Sequence, residues 1–154
     1  MHKIINNKKE LVDYVEALIS GDSKLISILA NVSSLLINCI DGTSWAGFYL
    51  YDSSDNSLYL GPFQGDIACE YIPYGKGVCG TCLKNKQTQL IEDVSTCENH
   101  IACSELTKSE LVVPIIKDNE VVAVIDLDSY NLNNFTMEDC KILQEVAYKL
   151  SKIF

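Results

Sequence analysis

Two apolar runs set the tightest limit on how this chain folds: Leu111, Val112, Val113, Pro114, Ile115 and Ile116, then Val121, Val122, Ala123, Val124, Ile125 and Asp126. Only Lys117, Asp118, Asn119 and Glu120 separate them. β-Branched runs flanking a short polar turn predict an antiparallel hairpin. Pro114 cannot donate to a ladder, so it marks an irregular or edge position.

Helical spacing brackets this hairpin. Leu11, Val15, Leu18 and Ile19 form one stripe, Gly21, Asp22 and Ser23 interrupt it, and Leu25, Ile28, Leu29, Val32, Leu35 and Leu36 form a second. Thr136 with Asp139 three residues on reads as a capped helix start, followed by Ile142, Leu143, Val146, Leu150 and Ile153 on one face. Helices at both ends and strands between them predict an α+β fold, with a central antiparallel sheet and the terminal helices over one of its faces. A chain of 154 residues, 47% hydrophobic, suits one domain with a real core better than two. The expected layout is a single domain over 1–154: helices in 1–40, sheet and site loops in 45–130, and a last helix in 136–154.

Between the helices, residues 45–51 are aromatic-rich and strand-like, and polar residues 53–56 turn them into a hairpin with Leu58, Tyr59 and Leu60. Residues 67–72 read as a further strand, 78–85 as a short helix after Gly75, Lys76 and Gly77, and 89–91 as a short strand. The polar stretch 93–109 is too long for a simple connection, and loops of that length are often functional.

Charge excludes one class of partner. With 12 basic and 21 acidic side chains the formal charge is −9, which repels nucleic acid, because affinity there comes from Lys and Arg neutralising phosphates. The first ten residues hold no apolar run of export-signal length, and no run approaches the roughly 20 residues that span a bilayer. The expectation is a cytoplasmic protein without a membrane partner.

Seven cysteines are many for this length, and an odd number does not suit a fully paired secreted framework. Cys103 lies in the long loop after His100, with Lys108 beyond it, two neighbours able to favour a thiolate. Cys79 opens the predicted short helix, where unpaired N–H groups stabilise a thiolate. Cys79 and Cys82 also spell CxxC, though without the βαβ surroundings of a thioredoxin-like centre. Cys69 falls within a predicted strand, where a packed thiol is the default, Cys39 and Cys140 lie on or beside helix stripes, and Cys97 sits in the polar loop. Zinc would need a second closely spaced ligand pair, and the sequence offers one CxxC with His100 as the usable imidazole, His2 being in the N-terminal tail. The glycines at 75, 77 and 80 match neither a P-loop nor a dinucleotide fingerprint.

Asp126 and Asp128 alternate at the end of the second apolar run and so project to one face. Glu110 begins the partner strand near the same end. Three carboxylates so placed suit an ammonium group, or form a solvated strand end.

Together these segments resemble the free methionine-(R)-sulfoxide reductases, enzymes built on a single GAF domain. The stretches that carry the resemblance are 45–49 (WAGFY), 60–65 (LGPFQG), Ala68 and Cys69 with Ile72 and Pro73, 75–81 (GKGVCGT), 100–103 (HIAC), 109–114 (SELVVP) and 126–129 (DLDS). The resemblance implies a GAF-like fold and thiol-dependent reduction of free L-methionine (R)-sulfoxide. Cys103 matches the nucleophile, Cys79 and Cys69 match the cysteines implicated in disulfide formation with it, and Cys103 and Cys79 could exchange roles. Glu110, Asp126 and Asp128 match substrate-binding carboxylates, with Glu110 or Asp128 as proton donor to the sulfoxide oxygen. Trp45 and Tyr49 match the aromatic wall around the substrate methyl group. Cys82 departs from the pattern and is either a bystander or an additional disulfide partner. The resemblance implies no metal or organic cofactor, recycling by thioredoxin or a similar dithiol, and a possible homodimer paired through terminal helices. Two rival functions also suit the sequence: a stand-alone GAF-type module sensing a small ligand or redox state, and a general dithiol using Cys79 and Cys82.

Overall fold

The computed structural model describes residues 7–101 and 103–154; most of the segment read for an export signal, His2 within it, and Ala102 beside Cys103 lie outside the described residues. The central hairpin forms as expected, with β5 (Ser109–Lys117) antiparallel to β6 (Glu120–Ser129). Asp118 and Asn119 take φ of +51° and +66°, the left-handed pair that a two-residue hairpin turn requires. Pro114 stands opposite Val124 on β6, past the three residues where β4 (Gln89–Ile91) covers the other edge of β5. Its missing N–H therefore deprives no ladder.

β1 (Thr43–Asp52) and β2 (Ser57–Gln64) form the second hairpin, and β3 (Tyr71–Pro73) pairs with β2. The six strands run β3-β2-β1-β6-β5-β4, every neighbouring pair antiparallel. The predicted strand over 67–72 is corrected to these last residues. Ile67 is 92% exposed, and residues 67–70 run as a loop that leaves Cys69 outside the sheet.

Helices α1 (Leu11–Ile19), α2 (Leu25–Cys39) and α4 (Met137–Leu150) cover one face of the sheet. Their stripes meet Ala46 and Phe48 of β1, Leu111, Val113 and Ile115 of β5, and Ala123, Ile125 and Leu127 of β6 in one apolar core. The buried hydroxyl of Ser33 on α2 lies 2.8 Å from the Leu29 carbonyl and 3.0 Å from the Pro62 carbonyl of β2, so its hydrogen always has an acceptor. Thr136 and Asp139 close a capping box at the start of α4, and Lys8 holds the other Asp139 oxygen at 2.8 Å. Leu150 ends the helix proper; Ile153, read as its last core position, sits in a terminal 3-10 turn and is half-buried. Among the described residues no helix is long and apolar enough to cross a membrane.

The opposite face is covered by one short helix, α3 (Gly77–Asn85), and by loops. Because side chains alternate along a strand, this face receives Trp45, Gly47 and Tyr49 of β1, Glu110 and Val112 of β5, and Val124, Asp126 and Asp128 of β6.

Candidate active site

The register of the three central strands assembles the carboxylates. Glu110 is directly opposite Asp128, which on its other side is opposite Trp45; one pair along, Val112 is opposite Asp126, and Asp126 opposite Gly47. Glu110 and Asp126 are each only 6% exposed, which overturns the alternative of a solvated strand end. Burial pushes the Glu110 carboxyl well above the usual carboxylate range and Asp128 adds to the shift, against a hydrogen bond with Asp126. Asp126 is driven up by burial and then by Glu110, and Asp128 by burial and then by Asp126. Three such groups in one cavity cannot all be ionised without a cation among them, so the cluster retains protons.

The aromatic wall stands beside them. Trp45 stacks on Phe63 with ring centroids 5.2 Å apart and on Tyr49 at 6.0 Å, and its Nε1 donates to the Asp66 carbonyl at 3.0 Å. Two glycines seat the indole. A Cβ on Gly47 would lie 2.4 Å from the Phe63 Cβ and 2.7 Å from the Trp45 ring, and one on Gly65, whose φ is +126°, would lie 2.6 Å from that ring. Tyr49 donates its hydroxyl to the Cys69 carbonyl at 2.9 Å, and burial keeps it a neutral phenol by raising its pKa.

The cysteines separate into two groups. Cys69 and Cys103 form a disulfide that joins the loop after β2 to the loop before β5, with Cα atoms 5.4 Å apart. Cys103 is exposed and Cys69 half-buried, so the bridge lies at the cavity mouth rather than in a strand. Cys79 and Cys82 are 3% and 0% exposed, with Cys79 lining the cavity and the Cys82 thiol directed at the Val112 carbonyl 4.0 Å away. Cys79 does open a helix, but burial, followed by the Asp126 and Glu110 charges, drives its pKa well up. That reverses the thiolate expected at a helix N-terminus. Cys82 is also raised by burial, and neither thiol of the CxxC pair is exposed. Cys140 is buried on α4, and Cys97 is half-buried after a 3-10 turn.

His100 lines the same cavity as Cys103. Its Nε2 lies 3.6 Å from a Glu110 oxygen, and burial lowers its pKa, so it acts as a neighbour of the carboxylates. Lys108 is exposed, and its backbone bonds to Val94 and Ser129. Phe63 is a further wall residue, one that strand alternation alone does not reveal. Counting back from the 53–56 turn sets Pro62 against Gly47, but a bulge between Gly47 and Tyr49 brings Phe63 there instead. The cavity is lined by Trp45, Tyr49, Cys79, Cys103, Glu110 and Asp126 among others. The Cys79 sulfur and carboxylate oxygens of Glu110 and Asp126 lie within 4.8 Å of one another, a donor set that could hold a metal ion.

Comparison with known proteins identifies this arrangement. Residues 24–154 match the GAF domain family. The chain is 44% identical over 137 residues to the free methionine-R-sulfoxide reductase of Escherichia coli K12, covering 89% of this chain and 82% of that protein. It is 40% identical to the enzyme of the same name from Saccharomyces cerevisiae, covering 95% and 87%. Among solved structures, the free methionine-R-sulfoxide reductase of Neisseria meningitidis in complex with its substrate superposes with a TM-score of 0.93 at 36% identity, over 100% of this chain and 94% of that one. With a GAF fold along its length and this identity to named reductases, the chain belongs to the free methionine-R-sulfoxide reductase family.

Proposed function

We propose that the protein reduces free L-methionine (R)-sulfoxide to L-methionine, with Cys103 as nucleophile and Cys69 as resolving thiol. The observation that carries the reading is the Cys69–Cys103 bridge at the mouth of a buried carboxylate pocket, the oxidised state that one turnover would leave. Family membership supports the activity.

A sulfoxide sulfur accepts a nucleophile only when its oxygen is protonated or strongly hydrogen-bonded. Glu110, kept neutral by burial and flanked by Asp126 and Asp128, is suited to supply that proton, while an ionised neighbour holds the substrate ammonium. Trp45, with Tyr49 and Phe63 against it, offers an apolar wall to the methyl group. In the reduced enzyme the Cys103 thiol takes up the sulfoxide oxygen as the S–O bond breaks, releasing methionine and leaving Cys103 as a sulfenic acid. Cys69 condenses with it, expelling water and forming the disulfide. An external dithiol such as thioredoxin then returns two electrons and two protons to the pair by exchange. Cys103 is better placed to attack than Cys79, because it is exposed on a loop while Cys79 is buried beside carboxylates that oppose its thiolate.

We infer further that the chain acts as one domain over 1–154, in the cytoplasm where dithiol reductants are available, and that two copies pair through terminal helices, which sedimentation at varied concentration would read. The activity is tested by NADPH consumption coupled through thioredoxin and its reductase with the separate free sulfoxide epimers. Turnover of the free R epimer is expected; its absence would overturn the reading.

A further inference from the structure

We propose that Cys79, Glu110 and Asp126 form a zinc site on the floor of the substrate pocket, through which the metal inhibits the enzyme. The three donor atoms lie within 4.8 Å of one another and come from three elements, α3, β5 and β6. Zinc bonds of about 2.3 Å to sulfur and 2.0–2.2 Å to oxygen put tetrahedral ligands about 3.5 Å apart, so small side-chain rotations close the trio. A second observation points to a ligand at the same spot. Asp126 Oδ1 is buried and receives no hydrogen bond, although its residue is 6% exposed and lines the cavity. An orphaned carboxylate oxygen is costly unless a cation or a donor from a ligand reaches it.

The donor set also selects the metal. One thiolate and two carboxylates suit zinc, whereas magnesium and calcium need six or more oxygens. These residues also line the pocket proposed for the sulfoxide, so bound metal and substrate exclude each other. The inhibitory consequence rests on the reductase reading; metal binding itself does not.

The test keeps the protein in its Cys69–Cys103 disulfide form, which removes both mouth cysteines as ligands. Cobalt(II) chloride serves as a spectroscopic probe and zinc chloride as its competitor. One equivalent of cobalt should bind with a thiolate-to-cobalt charge-transfer band, and zinc should erase it. Cys79→Ser should abolish the band, Asp126→Asn should weaken binding by about tenfold or more, and Cys97→Ser should leave it unchanged. Circular dichroism checks that each variant is folded, and the wild-type titration stands without them. No thiolate band in the wild type, a band that survives Cys79→Ser, or a band lost in Cys97→Ser would overturn the site. In turnover driven by a phosphine, with methionine release as readout, zinc should raise the apparent KM and a chelator should restore it. Cobalt binding by a chain that reduces no sulfoxide would refute the function while leaving the metal site standing.

Discussion

Alternate residues of the same strands build the two faces of the sheet, and the faces carry opposite chemistry. Beneath α1, α2 and α4 lie Ala46, Phe48, Leu111, Val113, Ile125 and Leu127, an apolar surface of almost completely buried side chains. Beneath α3 the intervening positions of β5 and β6 bring in Glu110, Asp126 and Asp128. The first face gains free energy with every methylene it hides. The second hides carboxylates and a thiol at a cost, which the first must offset. One strand pair thus serves stability and reactivity because its side chains alternate.

The contrast is sharpest in what each face loses on substitution. Cys103→Ser should lower turnover of the free R epimer by about a thousandfold or more, in the thioredoxin-coupled assay, with an unchanged melting temperature once both proteins are reduced. Leu143→Ala, on the helix-covered face and fully buried, should cost about 2–5 kcal/mol in urea unfolding, with kcat kept while the protein remains folded. Asp126→Asn should invert that pattern: activity falls, while stability at neutral pH rises by about 1–3 kcal/mol as a buried charge is removed. Equal stability losses from Leu143→Ala and Asp126→Asn would dissolve the distinction between the faces.

The smallest effects belong to the α4 cap. Thr136→Ala should cost about 1 kcal/mol with no change in KM. Burial alone would raise the Asp139 carboxyl, but the Lys8 and Thr136 hydrogen bonds outweigh it and hold the group below its usual range. A depressed folded pKa adds stability that is complete above the unfolded value, about 3.9, and lost as pH falls through the folded one. Lys8→Met should therefore reduce the stability lost on acidification below pH of about 4, as read by denaturant melts across that range.

Much of this layout was legible in the residues. The hairpin, the helix stripes and the capping box rest on local chemistry: Asp118 and Asn119 suit a tight turn, and Asp139 stands where Thr136 needs it. The shared face of Asp126 and Asp128 followed from strand alternation. What depended on distant contacts was not legible. Residues 67–70 have strand-like side chains, but strand pairing with β2 begins only at Tyr71, so Cys69 is in a loop and bridges to a cysteine 34 residues away. His100 reaches Glu110 because the long loop folds back over the cavity, and no local pattern encodes that path. The extra residue of β2, opposite Phe48, that brings Phe63 against Trp45 is likewise set by packing.

The account turns on which thiols the reaction consumes. The most direct test adds one equivalent of free methionine (R)-sulfoxide to the fully reduced chain without recycling reductant, then quenches and maps disulfides by mass spectrometry. Release of one methionine per chain with a Cys69–Cys103 bridge is the predicted result. A bridge from Cys79 to either cysteine, or methionine release with Cys103 still a thiol, would contradict it.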